Sequence, residues 1–454
     1  MRKDAFFRPA LNIGLRLAAG KETKTSRAIS GSEWGADVLD ALARAARHLA
    51  WRDPAAHLFL ERRFERRLEL GPEGVVAATA ARVQGLVAEP APGSGVFLSV
   101  PRLDALEDLA ITAARGVVPD PVPEGAEALG PTPEPPLAAL EALRRSAGEA
   151  ARLQYVEIDQ QVAVARRDGR AGMDRRRGRR LRLALGSTVV ERALPGEEGG
   201  LEVEGLAAQV AERAEARKHL LPAWTGRTPV VFAQGVGGAL FHELIGHALE
   251  GDVQVRSASR LARSEGRIAP AAVTVLDDPR RSRVPWTMDD EGTMAEPVAL
   301  LQEGHVRGRL TSWGWPGPPH PSSGHARRAS FAEPALPRMG ATFLTPGQLH
   351  PEAVREGVAR GIYVHRMVSA ATDPAEGKAT FEVTDADMLI AGRIEGPLAP
   401  VLLHVSLEDL LTLDRIADDL TFDVCVGVCV REGQAMASSV GAPTFRLGLV
   451  TVTG

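Results

Sequence analysis

The chain has 454 residues, of which 44% are hydrophobic and 25% charged, and a formal net charge of −4. This length exceeds one ordinary core, so two domains are expected, and the composition is globular rather than disordered or fibrous. No run approaches the roughly 18 apolar residues that span a bilayer, and two cysteines, Cys425 and Cys429, exclude a disulfide framework.

In chain order, the N-terminal MRKDAFFRPALNIGLRLAAG is basic, with its apolar part broken by Arg8, Pro9 and Arg16. A secretory signal needs an unbroken apolar stretch of about 7–15 residues, so a cytoplasmic protein is expected. Residues 36–50 have the spacing of an amphipathic helix. HLFLERRFERRLEL, GVVAATAARVQGLVAE and GVFLSV read as strands, with GPEG and EPAPGSG as turns. The Pro-, Glu- and Gly-rich stretch 117–136 is expected as an exposed loop, followed by a helix at about 137–150. Two strands, LQYVEIDQQVAVA and RLRLALGSTVV, join across an Asp168-Gly169 turn, and a helix over about 203–220 ends before Pro222. The run MDRRRGRRLRL (173–183) is the nearest thing to a nucleic-acid arm. Its alternation after a turn favours a solvated strand or hairpin, so no nucleic-acid partner and no membrane partner is expected.

The second half starts with the strand TPVVFA (228–233), a turn QGVGG and a helix carrying FHELIGHALEGD (241–252). Beyond it, AAVTVLDD, PVALLQEGHVRGRLTSW, KATFEVTDADMLIAGRIEG, PVLLHVS and the cysteine segment read as strands, with EGH and AGRIEG as hairpin turns. The expected architecture is α+β, in two domains of residues 1–221 and 222–454, each mixing antiparallel sheet and helices.

FHELIGHALEGD carries the chemistry. In the common zinc-hydrolase pattern H-E-x-x-H the histidines stand at i and i+4 on one helix face. Here His242 and His247 stand at i and i+5, with Glu243 placed as a base. Five residues of regular helix turn through about 500°, leaving the two rings about 140° apart. A π-bulge would bring them onto one face, with Gly246 the residue best able to take up the distortion. Alternatively, the helix ends near Gly246 and the following turn delivers His247. For a third ligand two candidates stand out: Glu250, three residues after His247, and Cys429, whose thiolate binds zinc strongly. Spacing does not choose between them.

The residues resemble a known family. HELIGHALEGD (242–252), MDDEGT (288–293), RRASFAEPALPRM (327–339) and GVCVREGQ (427–434), in that order, resemble the TldD/PmbA (TldD/TldE) metallopeptidases, and the resemblance covers residues 228–454. It implies a TldD-type active subunit with His242, His247 and Cys429 as metal ligands, Glu243 as catalytic base and Glu250 as a supporting carboxylate. Cys425 has no family counterpart and is expected to be incidental. The implied activity is hydrolysis of unfolded peptides or peptide leaders, with Zn2+ as cofactor (Fe2+ or another divalent metal is the alternative). The implied assembly is a homodimer or a heterodimer with a PmbA/TldE-like paralogue. The rival is a non-catalytic, metal-stabilised peptide-binding subunit of such a complex. Asp289, Asp290, Glu291, Arg327 and Arg328 have two open roles, substrate positioning or structural pairing.

Overall fold

The computed structural model describes residues 34, 36–48, 51, 53, 56–91, 95–99, 106, 110, 136–194, 203, 205–253, 259–315, 322–422 and 428–454. Cys425 and nearly all of the loop expected at 117–136 lie outside the described residues. The fold is α+β.

Six antiparallel strands make the first sheet: β1 (His57–Gly71), β2 (Gly74–Glu89), β3 (Val96–Ser99), β4 (Arg152–Arg166), β5 (Ala171–Leu185) and β6 (Thr188–Leu194), in the order β3-β2-β1-β4-β5-β6. Alternation along β1 divides its residues between two coverings. Leu58 and Leu60 pack with Leu86, Ala88, Ala163 and Ala165 under helix α1 (Ala36–His48), whose Val38, Leu42, Ala45 and Ala46 face them. Phe59, between them in sequence, joins Val87, Val162 and Val164 on the opposite face, against Met288 and Phe331 from the second half of the chain. At the far end Leu68, Leu70, Leu153, Tyr155, Leu181 and Leu183 pack on α2 (Leu137–Ser146) and α3 (Leu206–Ala216). The arginine run in β5 is bound up in ion pairs. Arg175 and Arg177 each reach Asp159 at 3.0 Å, Arg182 reaches Glu191 at 3.4 Å, and Arg176 is fully buried.

The second half holds a six-stranded sheet and a ring of strands. The sheet is built from β8 (Val275–Asp277), β9 (Val298–Gln302), β10 (His305–Val306), β13 (Ala341–Leu344), β19 (Thr421–Phe422) and β22 (Ser439–Ala442). Between β10 and β13, β11 (Ala326–Arg327) and β12 (Leu336–Pro337) form a small ladder of their own. In the ring, β7 (Gly226–Phe232) pairs with β14 (Arg360–Asp373) and β23 (Phe445–Thr453), β23 with β17 (Val401–Ser406), β17 with β15 (Lys378–Ile390), and β15 returns to β14. Two outliers attach to it, β16 (Arg393–Pro397) on β15 and β18 (Leu413–Ile416) on β23. Closing a sheet on itself leaves the ring strands without a free edge. Its apolar residues, among them Phe232, Val364, Phe381, Leu403 and Phe445, share one core with Leu240, Phe241, Leu244 and Ile245 of the histidine-bearing segment.

β14 and β23 are additions to the strands expected from the sequence, and both are ring members. The hairpin turns expected at 303–305 and 391–396 are present: Glu303-Gly304 and Ala391-Gly392 have positive φ at both positions, as type I′ turns require. A third such turn, Glu432-Gly433, joins β20 (Val428–Arg431) to β21 (Gln434–Ala437). The helix expected over 203–220 is shorter, Leu206–Ala216, ending at Arg217.

Candidate metal centre

After β7 the chain makes one short helical turn, α4 (Gly238–Phe241), which runs directly into a π-helical turn, His242–Gly246, and a 3-10 turn, His247–Leu249. The amide of His247 donates to the carbonyl of His242, an i to i+5 bond in place of the usual i+4 bond. The extra residue brings the two imidazoles to the same side, with ring centroids 4.9 Å apart and planes at 84°. Both expected geometries are realised in succession, a π turn and then a tightening that ends the helix. Buried Leu240, Phe241, Leu244, Ile245, Ala248 and Leu249 anchor the segment in the core.

Gly246 serves a different purpose from the one expected. Its φ of −58° and ψ of −61° are ordinary helical values, so the backbone does not need glycine there. A Cβ at this position would stand 1.9 Å from Met339 Sδ. What favours the small residue is the buried Met339 side chain packed against it.

The third element is the β20–β21 hairpin, which brings Cys429 to the histidines. Cys429 Sγ lies 3.5 Å from His247 Nε2. Metal–ligand bonds of about 2.1 and 2.3 Å at a tetrahedral angle put nitrogen and sulfur about 3.6 Å apart, so this pair already has the separation an ion would impose. The ligand atoms of His242, His247 and Cys429 all lie within 4.8 Å of one another. His242 Nδ1 is buried and has no hydrogen-bond partner. Two imidazoles and a thiolate within 4.8 Å of one another fit a zinc-type ion.

The electrostatics point the same way. Burial opposes ionisation of Cys429, but His247 and His242 outweigh it and hold the thiol well below its ordinary value. Burial likewise opposes charge on His247, while Cys429 and Glu250 pull it well above its ordinary value. Both directions favour charge on the pair, and a bound cation would displace a proton from it. His247 Nδ1 donates to Glu250 Oε2 at 2.8 Å, so Glu250 supports the histidine through its other nitrogen. Glu243 stands beside the triad, its Oε2 3.9 Å from His247 Nε2, and accepts a 2.6 Å hydrogen bond from Thr372. Burial opposes its charge, but His242, His247 and the hydroxyls of Thr372 and Ser369 keep its pKa below the ordinary value.

The acidic and arginine motifs occupy a separate, buried ion cluster between the first sheet and the second half. Asp290 binds Arg176 at 2.6 Å, Arg327 Nε at 3.3 Å and the amide of Arg328 at 2.7 Å. Arg328 continues to Glu89 at 3.0 Å and His57 at 3.1 Å. Asp289 accepts from the amides of Glu291, Thr293 and Ala326, and Glu291 from that of Trp313. In this arrangement these residues pair with one another and with Arg176, Glu89 and His57.

Several participants go beyond the residues expected from the sequence. Arg338 donates to the Cys429 carbonyl at 2.7 Å, and Arg431 binds Glu250 and Asp252, each at 2.5 Å. Arg431 had a readable signal, since two residues after Cys429 on a strand means the same face. Thr372 and Ser369 had none, because β14 was not apparent as a strand.

The model of the PmbA/TldA metallopeptidase C-terminal domain matches residues 225–454, a segment that contains all four candidate residues. The chain belongs to the PmbA/TldD family. Among PmbA/TldD relatives, it is 28% identical over 269 residues to a metalloprotease TldD homolog of Haemophilus influenzae, covering 57% of this chain and 54% of that one. It is 26% identical over 236 residues to a zinc metalloprotease TldD homolog of Saccharolobus solfataricus, covering 50% and 52%. The chain thus matches about half the length of these curated relatives. Its fold is similar to the crystal structure of TldE from Thermococcus kodakarensis, with a TM-score of 0.70 at 16% identity, over 92% of this chain and 100% of that one. Among the described residues, no helix is long and apolar enough to cross a membrane.

Proposed function

We propose that this chain is a TldD-type metallopeptidase that hydrolyses unfolded peptides or peptide leaders, with His242, His247 and Cys429 as metal ligands and Glu243 as general base. The observation that carries this reading is the π turn, which aligns two histidines with a cysteine 182 residues away and places a carboxylate alongside them. A closed structural zinc site has no use for that carboxylate. The name of the Saccharolobus relative supports zinc.

When bound, the ion polarises the scissile carbonyl and lowers the pKa of a water to about 7. Glu243 accepts the proton released by the attacking water and delivers it to the departing amine nitrogen. The hydroxyls of Thr372 and Ser369 hold the carboxylate in place and ionised before the reaction. An extended substrate is held through backbone hydrogen bonds to strand edges, with little sequence preference. The reading further takes the chain as cytoplasmic, divided near residue 221, and paired with a second copy or a TldE-like paralogue.

Metal analysis of purified protein should find about one ion per chain. An unstructured peptide should be cleaved by this chain, alone or with its paralogue. Glu243→Gln should lower that rate by about 10²–10⁴-fold while the metal content stays unchanged. Metal-loaded protein without cleavage in either setting would overturn the peptidase reading in favour of a metal-stabilised peptide-binding subunit.

A further inference from the structure

The β20–β21 hairpin pairs with no other strand among the described residues. Val428 and Val430 are 47% and 45% exposed, so one face of β20 has little apolar packing. Cys429 and Arg431 share the other face. Polar contacts seat this hairpin. Arg338 donates to the carbonyls of Cys429, at 2.7 Å, and Gln434, at 3.3 Å. The Gln434 side chain accepts from the amide of Ala329 and donates to the carbonyl of Pro334, both at 2.9 Å.

Arg431 differs from these anchors in where its contacts lead. Its two terminal nitrogens reach two carboxylates, Nη1 to Glu250 Oε2 and Nη2 to Asp252 Oδ2, both fully buried. The same Glu250 oxygen accepts from His247 Nδ1 at 2.8 Å, while Glu250 Oε1 has no partner. One polar chain, Arg431 to Glu250 to His247, therefore runs from the strand that carries the cysteine to a histidine on the π turn. A hydrogen bond to Nδ1 fixes the tautomer that leaves Nε2 free to bind, and Nε2 is the atom facing Cys429.

We infer that Arg431 is a positioning residue of the metal centre. A single guanidinium fork holds the Cys429 hairpin against the Glu250–Asp252 segment and holds Glu250 against His247, so that both ligands are placed together. The inference rests on reading the triad as a metal site. It requires arginine specifically. A planar fork can hold two carboxylates at once, whereas a lysine ammonium is a point charge on a flexible stem.

The test is zinc titration of the full chain against a chromophoric chelator, with metal-free melting recorded alongside. Arg431→Met should weaken zinc binding by about 10–100-fold, the usual effect of losing such a supporting contact, and Arg431→Lys should recover only part of that. Glu250→Gln should also weaken binding, and the double variant should lose less than the product of the two single losses, because both act through one chain. Zinc affinity equal to the parent's in folded Arg431→Met overturns the inference, as does multiplicative loss in the double variant. Should Arg431→Met fail to fold, Arg431→Lys decides: parental affinity there overturns the fork argument. A parent chain that binds no zinc is a different outcome, and it removes the metal reading of the triad itself.

Discussion

Asp290 and His242 are both buried among titratable groups, yet their partners differ in kind. Asp290 meets two guanidinium groups and an amide, and Arg328 beyond it meets Glu89 and His57. That cluster is nearly complete in itself, with Arg328 Nε the one unpartnered nitrogen among these side chains. Around the triad the pairing stops short. His242 Nδ1, Glu250 Oε1 and Asp252 Oδ1 are buried without partners, and a thiol and an imidazole converge at 3.5 Å. Buried polar groups are normally satisfied, so these unsatisfied ones need an explanation. The difference teaches how to separate structural charges from functional ones when both are buried. The first kind closes on itself, and the second does not.

The comparison breaks first if Asp290 proves dispensable. Asp290→Ala leaves Arg176 and Arg327 buried beside a lost counter-ion, so the expected cost is about 3–5 kcal/mol of stability, read from denaturant melts. A loss under about 1 kcal/mol would remove the Asp290 cluster from its structural role.

A smaller effect, and one dependent on pH, concerns the acids flanking Asp290. Burial pushes Glu291 up to about 8, with help from Asp289, and burial pushes Asp289 up to about 6. An acid whose pKa is raised on folding stabilises the native state most when protonated. Its contribution is therefore fully present below its unfolded value and lost as pH rises through the folded one. For Glu291 that window runs from its ordinary 4.5 to about 8. Glu291→Gln keeps an oxygen to accept from the Trp313 amide without the charge. It should gain on the order of 2–4 kcal/mol relative to the parent between pH 5 and pH 8. Parallel stability–pH curves for the two chains would show that Glu291 is not held protonated by the fold.

The sequence made a departure from regular helix legible because a helix repeats at 3.6 residues, so ligands at i and i+5 need either an inserted residue or an early helix end. The long strands of the first sheet were legible from their length and alternation, and two hairpins from their x-Gly turns. Gly246 was misread for a physical reason. Its constraint is a methionine 93 residues downstream, as Met339 Sδ would stand 1.9 Å from its Cβ, and no local pattern encodes that contact. β14 escaped notice because its pairing changes register near Val364, Arg366 and Ser369, which breaks the alternation that identifies a strand. Ser369 borders the last shift and Thr372 follows it, so the support for Glu243 stayed hidden with the strand. The motif at 288–293 and the arginines at 327–328 could be recognised as a pattern but not assigned a role, since their partners Arg176, Glu89 and His57 are distant in the chain.

The smallest expected effect sharpens the comparison most. In metal-free protein, Cys429→Ser should cost about 1–2 kcal/mol, less than Asp290→Ala, because His247 loses the sulfur beside it but keeps Glu250. The hairpin is seated by Arg338 on the Cys429 carbonyl and by Arg431 on Glu250 and Asp252, contacts that do not involve the sulfur. His247 keeps Glu250 as its partner, and serine offers a hydroxyl of similar size. With zinc present the two chains should diverge. An ion at 100 times its dissociation constant adds about 2.7 kcal/mol to the parent, and most of that gain should vanish with the thiolate. Thermal melts of parent and variant, each with zinc and with chelator, give all four values. If the metal-free variant loses 3 kcal/mol or more, the triad is a structural cluster like that around Asp290, and the contrast between the two sites disappears. If it loses little and the zinc-dependent gain falls, the incomplete pairing around His242 belongs to a site built for an ion.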